Sequence, residues 1–269
     1  MGDPLVTTRP VTRVAGRSST RAEDAVAIER PLEIRVGGRT LSVTLRTPGH
    51  DGELAAGFLA GEGLIERGED VLAARVTAAE CSDQPDVVDL ELAPRVRLDW
   101  SKLERHFAAT AACGLCGRAH LESLRAGLGR VAAGPPVPAG ALAALPGRLR
   151  ASQPGFSATG GLHAAACLDA AFAVRMVRED VGRHNAVDKV AGALLAQRSY
   201  PAAAGILWVS GRAGAEIVLK AARARIPVLT AVGAPSSLAV ELAEAAGMTL
   251  VGFLREGRMN VYCGEERLG

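Results

Sequence analysis

The strongest constraint on this chain is the regular alternation that begins at Phe172 and runs to Leu254. Short apolar runs at 172–177, 206–209, 228–232 and 249–254 are separated by helix-length segments starting at His184, Ala215 and Pro235. Strands joined through a helix run parallel, because the crossover returns the chain to the same end of the sheet. The expected architecture is a mostly parallel sheet covered by helices, with ligand sites where strands end and helices begin. The last helix shows the pattern: Pro235 sits in its first turn, Leu238, Leu242 and Ala245 share a face, and Gly247 ends it.

Upstream the period changes to two. Residues 32–36 alternate apolar and polar, Gly37-Gly38 signals a hairpin, and 41–45 resume the alternation. Asp51 is placed to cap a short helix over 53–60 that Gly61 and Gly63 stop, and strands are expected at 71–77 and 87–92. These make a small α+β roll. The pattern over 100–130 is helical, interrupted by a glycine-flanked loop at 110–117, and the Pro/Gly cluster at 134–140 reads as a surface connection. Thr159 to Ala166 reads as a Gly-Gly turn entering a small-residue helix that carries His163. The expected division is a flexible tail over 1–30, the roll over 31–98 and an α/β domain over 99–269.

Composition excludes several classes. Basic and acidic residues number 31 and 29, a formal charge of +2, so there is no broad cationic field for nucleic acid and an anionic ligand needs a local site. Charged residues or glycine interrupt every apolar run before membrane-spanning length, and the N-terminus lacks the apolar block of a secretory signal. Five cysteines, of which only Cys113 and Cys116 are closely spaced, suit a cytoplasmic protein with one working thiol pair.

Four segments carry candidate chemistry. Cys113-Gly-Leu-Cys116 is open to several readings. A structural zinc needs further ligands, for which His120 or His163 are available, and no second pair exists. A thioredoxin-like dithiol should follow a strand and open a helix. Sulfur transfer uses one thiolate to take up a sulfane sulfur and a second thiol to assist or discharge it. Two inert cysteines are the plain alternative. The second segment, Glu179 to Lys189, brings Arg183, His184, Asn185, Asp188 and Lys189 to a strand-to-helix junction. Asn185, Asp188 and Lys189 lie on a polar face opposite Val187, Val190 and Leu194, which suits either a solvated helix start or a polar ligand cradle. In the third, Ser210, Gly211 and Arg212 precede a helix, and Gly211 and Gly214 leave room for an anion at its N-terminus, though a plain tight turn fits as well. The fourth, Phe253 to Arg258, offers two arginines at a strand end that can clamp phosphate.

Taken together, Thr110-Ala-Ala-Cys-Gly-Leu-Cys-Gly117, Thr159-Gly-Gly-Leu-His-Ala-Ala165, Glu179 to Lys189, Ser210-Gly-Arg212 and Gly233-Ala-Pro-Ser-Ser-Leu-Ala239, in this order, resemble the FdhD family. These are sulfur carrier proteins needed for formate dehydrogenase activity, and the resemblance spans about residues 32–263. It implies a cytoplasmic homodimer that accepts sulfur from a cysteine desulfurase and delivers it to the molybdenum (or tungsten) bis(guanine dinucleotide) cofactor, for which GDP is a mimic. The family's persulfide-bearing cysteine matches Cys113 and its second cysteine Cys116. Its cofactor-binding stretch matches Phe253, Leu254, Arg255, Glu256, Gly257 and Arg258. The clusters at Arg183 to Lys189 and Ser210 to Arg212 are assigned to the same pocket. The resemblance also implies a cytidine-deaminase-like, three-layer α/β/α C-terminal domain. Zinc-dependent nucleobase deamination is then a rival, and it lacks its H-x-E and P-C-x-x-C ligands here, so no metal site is expected. A cofactor escort without covalent chemistry is the other. Gly214 and Gly233 depart from the serines common in the family, which removes a hydroxyl and leaves a backbone N–H.

Overall fold

The computed structural model describes residues 5–81, 84–101, 103, 128–132, 134, 136–202 and 205–269. Strands β1 (Val6–Ala15) and β2 (Ser18–Ala27) pair antiparallel where a flexible tail was expected. Alternating Val, Thr and Ser favour the extended chain, and Gly16 turns it with φ of 61°. Arg9 stands opposite Asp24, and the Arg13 guanidinium reaches the same carboxylate at 3.6 Å.

The roll is a sheet in the order β4-β3-β6-β5, formed by β3 (Arg30–Val36), β4 (Arg39–Arg46), β5 (Val71–Thr77) and β6 (Asp86–Leu92). Helix α1 (Asp51–Gly61) covers the face that carries Leu32, Ile34, Val88 and Leu90. Asp51 does not cap this helix. Its carboxylate accepts from Arg46 Nε and Nη2 at 2.9 and 2.7 Å, and Asp86 accepts from the same Nη2 at 2.6 Å. Arg46 is fully buried, and a guanidinium out of water is tolerated only when paired in this way.

The larger sheet runs β12-β11-β10-β9-β7-β8. Its centre is parallel as expected, from β9 (Ile206–Val209), β10 (Val228–Ala231) and β11 (Thr249–Arg255). Its flanks are antiparallel, because β7 (His163–Leu168) and β8 (Val174–Asp180), like β11 and β12 (Arg258–Cys263), are joined by turns too short for a crossover. The expected helix through His163 is therefore strand β7. Its alanines lie between β8 and β9 in the sheet interior, where small side chains let both covering layers approach and tertiary packing overrides helix propensity.

Alternate side chains along these strands enter two cores. Ala165, Cys167, Leu207, Val209 and Leu250 pack with α5 (Arg183–Ala196), α6 (Ala215–Arg223) and α7 (Ser237–Ala246). Ala164, Ala166, Ile206, Trp208 and Val251 pack with Leu142, Leu145 and Leu149 on the opposite side. Those leucines belong to α2 (Ala139–Ala143) and α3 (Leu145–Arg150), which α4 (Pro154–Thr159) follows, all within a stretch for which no element was predicted. The surface connection at 134–140 is tied down at Val137, buried and hydrogen-bonded to the backbone of Arg267 at 2.8 Å and Gly269 at 3.1 Å. Helix α7 starts at Ser237, capped by the Ser236 hydroxyl, which accepts from Ala239 N at 3.2 Å. Its buried face is Ala239, Leu242, Ala243 and Ala246, so Ala245 is turned outward.

The first core continues without a break into the roll, through α1 against α5. Gly57 of α1 and Gly192 of α5 make this contact backbone to backbone: a Cβ on Gly57 would lie 1.8 Å from the Asp188 carbonyl oxygen, and one on Gly192 1.8 Å from that of Glu53. The roll thereby fixes the helix whose first turn borders the site. No helix among the described residues is long and apolar enough to cross a membrane.

Candidate functional site

Three of the four predicted clusters meet at one edge of the larger sheet. Strands β9, β10 and β11 end side by side, and backbone bonds lace their loops together: Gly233 N donates to Gly211 O at 2.8 Å, and Phe253 N to Gly233 O at 3.1 Å. A Cβ on Gly233 would lie 2.8 Å from Gly211 O and 2.9 Å from the Arg212 backbone, so glycine is required for this close approach. Its N–H is consequently spent inside the protein and unavailable to an anion. The loop after β9 also touches β7 and α5, since a Cβ on Gly211 would lie 3.3 Å from His163 Nδ1 and 3.6 Å from Arg183 Cβ. Ser210, Gly211, Arg212, Arg183 and His163 therefore surround one place, at the N-terminal end of α5.

The polar residues of α5 divide into two groups. Asp188 and Lys189, expected on a solvated or ligand-facing side, are buried along with Val187, Val190 and Leu194. Lys189 Nζ bonds the Asp180 carboxylate at 2.7 Å, the Thr47 carbonyl at 2.8 Å and the Glu179 carbonyl at 3.3 Å, which uses its three protons. Asp188 holds Lys220 Nζ at 2.7 and 3.0 Å, and burial pushes its carboxyl up to about 6 although Lys220 opposes the rise. Asn185 Nδ2 donates to Leu45 O at 2.8 Å and Asp180 Oδ1 at 3.0 Å. Lys189 and Asn185 brace α5 against the roll, Asp188 braces it against α6, and the three offer little to a ligand.

Arg183 and His184 are part-exposed in the first turn of α5. The Arg183 Nε is buried without a partner, a donor left over in the protein itself. His184 Nε2 lies 3.2 Å from Glu216 in the first turn of α6. Burial, then Arg183, Lys220 and His163, lower its basicity to about 4, so a neutral imidazole donates to the carboxylate. Burial, followed by Arg183 and Arg212, likewise holds His163 below the ordinary histidine range. Neutral histidines between arginines and the positive end of a 14-residue helix make surroundings that favour an anion.

The stretch Phe253 to Arg258 splits as strand residues do. Leu254 is in the core, Glu256 and Gly257 form the exposed turn into β12, and Phe253, Arg255 and Arg258 are exposed. Phe253 has φ of 51°, a left-handed conformation costly for a bulky side chain, and the residue is 45% exposed. Arg255 Nη1 donates to the carbonyls of Val232 at 2.5 Å and Leu254 at 2.9 Å, which fixes the guanidinium at the strand ends. The turn also borders an open cleft of about 760 Å³ against α2 and α3. Cys113 and Cys116 lie outside the described residues, between Leu103 and Leu128, both of which pack on the first core.

Sequence reasoning missed a second cleft beside the first. It has a volume of about 340 Å³ and is lined by Arg150, Gln153, Phe156, Gly160, Gly161, His163, Trp208, Ser210 and Val232 among others. Trp208 inside an apolar strand carries no functional signal, and α3 and α4 were not predicted. Among the described residues there is no group of three or more His, Cys, Asp or Glu side chains able to hold a metal.

This is an α/β protein with a basic, glycine-lined site at the ends of parallel strands. Residues 27–269 match the FdhD/NarQ family model, and the chain belongs to that family. It is 48% identical over 273 residues to the sulfur carrier protein FdhD of Nocardia farcinica, covering 100% of this chain and 96% of the relative. It is 49% identical over 267 residues to the protein of that name from Streptomyces coelicolor, covering 97% and 94%. Among solved structures, a protein from Desulfotalea psychrophila described as a formate dehydrogenase accessory protein superposes with a TM-score of 0.78 at 26% identity, covering 99% of this chain and all of that one.

Proposed function

We propose that this chain is a cytoplasmic, homodimeric sulfur carrier that loads a persulfide on Cys113 and delivers the sulfur to a molybdenum or tungsten bis(guanine dinucleotide) cofactor bound for formate dehydrogenase. Membership of the FdhD/NarQ family carries this reading, supported by the names of its relatives. In the loading step the Cys113 thiolate attacks the terminal sulfur of a cysteine desulfurase persulfide. The donor's S–S bond breaks, and the donor leaves as a thiolate. In delivery, Cys116 attacks the inner sulfur of the Cys113 persulfide, a disulfide forms, and the terminal sulfur leaves as sulfide toward the cargo. A cellular thiol must then reduce the disulfide.

The residues present fit such a cargo. Its phosphates suit Arg183, whose buried Nε has no partner, together with Arg212, Arg255 and the first turn of α5. A flat ring of the cargo suits the exposed face of Phe253. We read the C-terminal region as a cytidine-deaminase-like three-layer domain, since helices cover both faces of its sheet. Expression of Cys113→Ala and Cys116→Ala chains in cells lacking their own carrier tests the chemistry. Loss of formate dehydrogenase activity with Cys113→Ala is expected, whereas full activity with both cysteines replaced would leave only an escort role.

A further inference from the structure

We infer that two copies of this chain join through β2 of the N-terminal hairpin, forming a four-stranded sheet in the order β1-β2-β2-β1 about a two-fold axis at Ala22. The inference rests on the homodimer reading and names its surface. The hairpin is a sheet of its own, separate from the other two. Its base packs on α4, where Ala25, Val26 and Ala27 are half-buried, whereas residues 8–10, 12–21, 23 and 24 are exposed. A two-stranded ribbon is marginal in water and gains stability from further strands. All of it but Ala27 precedes residues 27–269, so the family match leaves it unexplained.

The register decides which edge can pair. Gly16-Arg17 is a two-residue turn closed by Ala15 and Ser18, so those two exchange hydrogen bonds and every second pair does the same. Val11 and Ala22 therefore bond each other, and the N–H and C=O groups of Ser19, Arg21, Glu23 and Ala25 point away from β1. Pro10, opposite Glu23, agrees with this alternation, having no N–H to give. It also removes a donor from the middle of the outer edge of β1, where self-pairing about Val11 would set Arg9 beside Arg13. Strand β2 has no proline and no register shift. Centred on Ala22, it places Arg21 opposite Glu23 of the partner subunit, twice. The outward backbone groups match in both pairs, and the two Ala22 residues meet in the intervening pair, which is not hydrogen-bonded. Moving the axis to Arg21 or Glu23 opposes like charges instead. The Glu23 carbonyl meets Arg13 Nη2 at 3.4 Å and keeps a second lone pair for an incoming N–H. Because the ribbon's base packs on α4, pairing braces that helix in both copies.

The test is sedimentation velocity of the full chain and of Arg21→Glu, Glu23→Arg and the double exchange, at low salt. Wild type should dimerise. Each single reversal should weaken the dimer by about tenfold or more, because two attractive pairs become repulsive, and the double exchange should restore it. On an otherwise wild-type chain, Ala22→Cys under air oxidation should form a disulfide joining two copies through residue 22, found as a linked peptide by mass spectrometry. Thr12→Cys, on the outer strand, should not. A wild type that stays monomeric overturns the homodimer reading and this inference with it. A dimer of equal affinity in wild type and all three charge variants, or residue 22 cysteines that never link, overturns the β2 interface alone and leaves a dimer formed elsewhere.

Discussion

Replacing Gly57 by alanine sets two physical effects against each other. Helix propensity alone favours the change by about 1 kcal/mol. The added methyl would lie 1.8 Å from the Asp188 carbonyl oxygen, 2.6 Å from its carbon and 2.8 Å from Gly192 N. All three are backbone atoms of a buried helix, so no rotamer change relieves the clash and α1 must move away from α5. Overpacking of this kind costs about 1–3 kcal/mol or more, and separating the helices opens contacts around Leu54 and Leu59 as well. We expect a net loss of about 2–3 kcal/mol, which for a chain of this size lowers the melting temperature by roughly 4–5 °C. Gly147→Ala in α3 is the control, since its Cβ meets nothing within 4 Å and should be neutral or slightly stabilising. Thermal melts followed by circular dichroism measure both. A Gly57→Ala protein melting at or above wild type would refute the backbone contact and the argument that the roll positions α5.

Lys220→Met should destabilise by about 3–5 kcal/mol in urea melts, because the fully buried Asp188 loses its cation, and adding Asp188→Leu should restore part of the loss. His184, lowered to about 4 by burial and neighbouring cations, takes up its proton less readily folded than unfolded. Its contribution to stability is therefore complete above about pH 6.5 and is lost as pH falls through 4, amounting to about 3 kcal/mol. A His184→Asn chain should show a flatter stability curve over that window. Phe253→Gly relieves a left-handed phenylalanine while adding unfolded-state freedom, so stability should change by less than about 1 kcal/mol. Affinity for the intact cofactor should nevertheless fall by about 1–3 kcal/mol if the ring stacks on it.

Much of the fold was legible where periodicity was strong. Strands β5 and β9 and the start of α6 lie where the sequence placed them, because Gly, Pro and charged residues punctuate those apolar runs sharply. The alanine-rich 163–168 misled, since small residues suit a helix and the centre of a covered sheet equally, and only the neighbouring strands decide. The tail misled for a related reason: a polar hairpin lacks the apolar alternation by which a buried strand announces itself. At the site, residue type identified the junctions but not the direction of each side chain. Asp188 and Lys189 were as polar as Arg183 and His184, and tertiary pairing with Lys220 and Asp180 turned them inward. The unmet N–H of Trp208 could not be read from the sequence, because it exists only after the core has formed.

The central claim is that sulfur travels on Cys113. Incubating the full chain with a cysteine desulfurase and cysteine, then mapping its peptides by mass spectrometry without reductant, should find one added sulfur on the Cys113 peptide that cyanide or dithiothreitol removes. A protein competent to mature formate dehydrogenase whose Cys113 never carries that sulfur would contradict the account.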